Sequence, residues 1–140
     1  MDLNLYTWLF ILSAIGVSTV SYLIGQRLAA ERPVCPIGDR CHEVLESKYN
    51  RLFFGLHNDV LGFLFFVATA SIMAAIVILE NPAFTAFAFN AFQMMLGLAT
   101  IMSLIFFYLQ WQVIRAWCFW CLKSTGLVLL MDLIVVISKL

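Results

Sequence analysis

Four apolar runs dominate this chain, each long enough to cross a bilayer, and they leave little choice of fold. A span needs about 20 apolar residues, because the hydrocarbon core is roughly 30 Å thick and a helix rises about 1.5 Å per residue. Residues 5–28 meet this, with no charge before Arg27, and 60–79 form a second run. Asn81-Pro82 then reads as a turn, since proline disfavours helix in the residue before it. A third run covers 84–109 and a fourth 118–137, parted by Gln110, Gln112 and Arg115. One helix from Phe84 to Ile137 would be about 80 Å long, so a break near 110–117 is expected. Each span has to be helical, because backbone groups in lipid have no water to bond. The expected fold is an all-α, four-transmembrane-helix bundle in a single domain, residues 1–140.

Composition agrees with that class. Of the 140 residues 64% are hydrophobic and 11% charged, too little polar surface for a soluble globule. Net charge is zero, so nothing argues for nucleic acid. Asp2 is the only charge before the first run, where a signal peptide would carry basic residues. That run is expected to be a retained span.

Parity places the cysteines. With four spans, the loop after the first and the loop after the third face the same side. Cys35 and Cys41, in CPIGDRC, lie in the first of these loops, and Cys118 and Cys121, in CFWC, open the fourth span. All four therefore share one side, whichever way the chain is inserted. A C-x-x-C at a helix start sets its first thiol near unpaired N–H groups and the positive end of the helix dipole, which favours thiolate. Its second cysteine lies nearly one turn on. The plainer alternative is a pair of buried thiols acting as small hydrophobes. The loop pair adds further alternatives: a structural staple, a four-cysteine zinc site, or a relay in which an exposed pair exchanges with outside thiols and the helix-mouth pair with a lipid-soluble acceptor. A quinone is the obvious mobile apolar carrier.

Taken together, CPIGDRC, HEVLESKYNRLFFG at 42–55, NDVLG at 58–62 and the final CFWC resemble the vitamin K epoxide reductase family over most of the chain. Another quinone-coupled, disulfide-forming membrane family also has four helices and two cysteine pairs, but carries its C-x-x-C in the first loop. The resemblance implies a bundle around a quinone, with the first loop folded over the pocket. Residues 42–53 suit a short amphipathic helix there, with Val44, Leu45, Tyr49, Leu52 and Phe53 opposite Glu43, Glu46 and Asn50; an ordinary interfacial helix is the alternative.

Position by position, the resemblance implies that Cys35 takes electrons from a partner dithiol, that Cys41 forms a mixed disulfide with Cys118, and that Cys121 stands against the quinone. It places Ser47 near the active cysteines and Asn58 on a quinone carbonyl, although Asn58 read alone is a helix N-cap. Phe54 and Thr125 join these as quinone-contacting positions. Thr125 is a departure, since animal members carry tyrosine there; this argues against assuming epoxide chemistry. The implied activity is thiol:quinone oxidoreduction supporting disulfide formation, with ubiquinone or menaquinone as acceptor and no metal. Quinone-epoxide reduction and a non-enzymatic scaffold are the alternatives. The expected partner is a separate thioredoxin-like or DsbA-like dithiol protein.

Orientation pits two rules against each other. Arg27, Arg32, Arg40, Lys48 and Arg51 flank or occupy the first loop, against Lys139 opposite, and the positive-inside rule would turn the cysteines to the cytoplasm. Disulfide chemistry favours the outside, as does the usual bacterial orientation of the family. The expectation is an inner-membrane protein with extracytoplasmic cysteines. Three other polar residues, two in the fourth run and one beside Cys41, complete the set. Lys123 is expected to snorkel or to support a thiolate, Asp132 to sit near the opposite headgroups, and His42 to be a proton acceptor or a plain loop residue.

Overall fold

The computed structural model describes residues 3–29, 58–114 and 119–139. Cys35, Cys41, His42, Ser47, Phe54 and Cys118, and the amphipathic segment 42–53, lie outside the described residues. Four helices long and apolar enough to span a membrane make up nearly all of the described chain. They are α1 (Leu3–Leu28), α2 (Asn58–Leu79), α3 (Pro82–Tyr108) and α4 (Phe119–Lys139), and α3 runs on into a π-helical segment, Leu109–Ile114.

The α2–α3 turn shows how local chemistry sets an element boundary. Asn81 is the N-cap of α3: its side-chain oxygen accepts from the N–H groups of Ala83 at 3.0 Å and Phe84 at 3.3 Å. Pro82 takes the first helical position, where its missing N–H costs nothing. The helix therefore starts two residues before Phe84, because cap and proline build the first turn themselves. Polar side chains inside the spans are satisfied in a similar local way. Thr7, Ser13 and Thr19 donate to the carbonyls of Leu3, Leu9 and Ile15, four residues back, at 2.7–2.9 Å, which hides the hydroxyl from lipid.

The helices bury one side and give the other to lipid. Leu9, Phe92 and Met131 are fully enclosed, and Phe66 and Met73 nearly so. By contrast Phe87, Met94 and Ile78 are each about three-quarters exposed, a surface no water-soluble monomer presents so widely. Between helices lipid supplies little hydrophobic drive, so close contact of small residues matters more. Gly16 of α1 lies directly against the ring of Phe66 of α2, and Gly62 of α2 faces Val20 of α1. The two contacts set α1 and α2 antiparallel with a fixed register.

Three further ties close the bundle. Tyr6 meets Phe89 edge-on at 6.0 Å, joining α1 to α3. Tyr22 packs on Trp120 at 4.8 Å, joining α1 to α4. Thr100 of α3 donates to a carboxylate oxygen of Asp132 of α4 at 2.5 Å, and the same hydroxyl lies 2.8 Å from the Leu96 carbonyl. Asp132 thus has a partner within the span.

Candidate active site

These contacts place particular residues at one end of the bundle. The C-terminal end of α1, the start of α2, the π-helical segment and the start of α4 all lie on that side. The chain leaves α1 there and re-enters at Asn58, so residues 30–57 and 115–118 both attach at this end.

Cys121 is the third residue of α4, in the first turn, and is half-buried. Its backbone lies in the turn whose N–H groups have no partner within the helix. Residues three and four apart on a helix are neighbours on its surface, so Ser124 and Thr125 lie directly beneath it. Thr125 is buried. The Ser124 hydroxyl is also buried, and no hydrogen-bond partner reaches it among the described residues. A buried hydroxyl without a partner costs free energy, about 1–3 kcal/mol, unless something else bonds it. Beneath the thiol, then, lie a buried hydroxyl with no partner among the described residues and a second buried hydroxyl residue.

Aromatic rings wall this mouth. Trp120 is edge-on to Phe119 at 5.3 Å and tilted against Tyr22. The Lys123 ammonium sits 5.4 Å from the centre of the Trp120 ring, within cation–π range.

Two polar residues with little prominence in the sequence join this end. Asp59, in the first turn of α2, is buried, and accepts from the Val60 N–H at 2.8 Å. Gln110, in the π-helical segment, is fully enclosed. In the sequence Gln110 looks like a polar separator between spans, and Asp59 like one more loop charge. The signal for Asp59 was its place in a helix's first turn, where the dipole favours acids. Nothing local marks Gln110 as buried. π-helical turns are frequent at functional sites, and this one turns an amide into the protein. Asn58 begins α2 at the same end.

A polytopic α-helical membrane protein with a thiol at a helix mouth, backed by buried hydroxyls and walled by aromatic rings, is the class that these features define. The model of the vitamin K epoxide reductase family matches residues 7–137, nearly the whole chain. The chain belongs to that family, and membership makes it a membrane oxidoreductase of a family that generally works with quinones. No curated protein matches it.

Proposed function

We propose that the chain is a thiol:quinone oxidoreductase, which oxidises a thioredoxin-like partner dithiol and reduces a quinone. The observation that supports it is the grouping of Cys121 with Ser124 and Thr125 at the aromatic mouth of α4. These residues fit an apolar carbonyl compound, because the Ser124 hydroxyl can donate to a carbonyl that sits against Cys121. Family membership supports the redox class, and the two cysteine pairs supply the electron path.

In this reading the partner dithiol reduces a Cys35–Cys41 disulfide and leaves as a disulfide. The Cys41 thiolate attacks Cys118 in a Cys118–Cys121 disulfide. A Cys41–Cys118 bond forms, and Cys121 is released as thiolate. Cys35 then attacks Cys41, restoring the loop disulfide and freeing Cys118. The quinone accepts two electrons and two protons, becoming quinol. Cys118 and Cys121 supply those electrons and close their disulfide again. Ser124, Thr125 and Asn58 bind and orient, Ser47 and Phe54 complete the contacts from the loop, and the aromatic wall excludes water. The net reaction is partner dithiol plus quinone giving partner disulfide plus quinol. The cysteine side faces out of the cytoplasm, where disulfides persist.

Steady-state turnover of purified protein tests this. With a reduced thioredoxin-like protein and a short-chain ubiquinone, quinol should form in step with partner disulfide. Cys121→Ser should abolish it. Faster turnover with a quinone epoxide than with the quinone would shift the activity to epoxide reduction. Stoichiometric zinc in the purified protein, with no turnover, would favour a scaffold.

A further inference from the structure

At the end of the bundle away from Cys121 a cleft of about 690 Å³ opens, within the roughly 300–1,000 Å³ of small-ligand sites. Its walls come from Leu3 and Tyr6 of α1, Val77 of α2, Glu80 of the turn, and Phe89 and Asn90 of α3. Tyr6 and Phe89 are buried and meet edge to face, so they form an aromatic floor.

The polarity of this cleft runs with depth. Glu80 lies just past the last residue of α2 and just before the α3 cap, at the edge of both spans. Phe89 lies seven residues beyond Pro82, roughly 10 Å deeper along α3. An acid at headgroup depth above an apolar, aromatic-floored cavity has the layout of a lipid with its cation uppermost and its chain descending. Among the described lining residues none is basic, so no lining side chain neutralises Glu80. Thr85, in the first turn of α3, adds a hydroxyl oxygen nearer the rim, whereas Asn90 lies as deep as Phe89.

The backbone at Glu80 adds to this. Its φ is 48°, the left-handed region where glycine is unstrained and side chains are disfavoured. The local geometry alone selects glycine. A carboxylate stands there instead, at the cleft rim.

We propose that this cleft is a lipid site selective for phospholipids with a primary ammonium headgroup. An ammonium presents three donors and no acceptor, which suits a carboxylate at the rim. An anionic headgroup meets like charge at the same rim. The site lies at the opposite end of the bundle from Cys121 and is independent of the redox reading.

Native mass spectrometry of the full chain in detergent tests the proposal, with dioleoyl phosphatidylethanolamine and dioleoyl phosphatidylglycerol as probes. The ethanolamine lipid should be retained about two- to fivefold better, the range expected of one solvent-exposed ion pair. Glu80→Gln should bring both lipids to the same level. Ala86→Trp, at an exposed lining position, should fill the cleft and lower retention of both lipids. Helical circular dichroism unchanged from wild type will show that both variants fold. Equal retention of the two lipids by the wild type, a preference that survives Glu80→Gln, or displacement of bound ethanolamine lipid by a short-chain ubiquinone would each overturn it.

Discussion

Replacing Gly16 by alanine strikes the contact that sets α1 against α2. A Cβ at Gly16 would lie 2.4 Å from Phe66 Cδ1 and 2.5 Å from both Cε1 and Cγ. Carbon atoms rest about 3.5–4.0 Å apart at their optimum, so the ring has to retreat by about 1 Å. Turning the ring brings no relief, because Cγ, on the ring axis, is one of the clashing atoms. Nor can the ring move freely: Phe66 is 1% exposed and packs edge-on against Phe65 at 5.2 Å. Overpacking of this kind costs about 1–3 kcal/mol. The consequence reaches the site, since α1 ends and α2 begins where residues 30–57 attach. Gly16→Ala should therefore lower resistance to sodium dodecyl sulfate unfolding by that amount and lower thiol-dependent quinone reduction with it. Phe66→Leu, which removes the ring, should make a following Gly16→Ala substitution cost less than it does alone. Wild-type stability in the Gly16→Ala variant, or strict additivity of the two changes, would refute the close-approach argument.

Five other substitutions probe the tie between α3 and α4 and the turn between α2 and α3. Thr100→Val and Asp132→Leu should show a coupling of about 0.6–1.7 kcal/mol in a double-mutant cycle of unfolding, the range found for hydrogen bonds between membrane helices, while Asp132→Asn should keep most of the tie. Asn81→Ala removes the oxygen that caps α3 and should cost about 1 kcal/mol in the same unfolding assay. Glu80→Gly relieves a left-handed residue and should leave lipid-free stability unchanged or raise it by up to about 1 kcal/mol; a loss would show that its side chain braces the turn.

The spans were legible because lipid demands length and apolarity, and both are visible in a string of letters. Parity then placed Cys121 at the same end as the first loop without any tertiary knowledge. Asn81-Pro82 was legible as a turn, though its role as a cap that starts α3 early depends on which backbone N–H groups the side chain reaches. What stayed hidden depends on which face of each helix turns inward. In helices that are apolar all round, periodicity does not mark that face. Gly16 meets Phe66 fifty positions along the chain, and Thr100 meets Asp132 thirty-two positions on; no local pattern announces either pair. Asp132 read as an acid near water, and its partner became visible only when α3 and α4 were side by side. Gln110 read as a polar separator between runs, whereas the helical segment continues through it to Ile114 and the side chain is enclosed. Of the proposed site, Cys121 and Thr125 could be placed on one helix from spacing alone, and Ser124 could be recognised only once its hydroxyl was seen buried with no partner among the described residues.

The most direct test counts thiols. Fully reduced protein in lipid nanodiscs is mixed anaerobically with excess short-chain ubiquinone, quenched with an alkylating reagent and weighed. Wild-type protein should lose thiols in pairs until all four cysteines are disulfide-bonded, with one quinol formed per pair. The Cys121→Ser variant should keep its three remaining thiols. Oxidation of that variant by quinone at the wild-type rate would contradict the assignment of Cys121 as the residue that passes electrons to the acceptor.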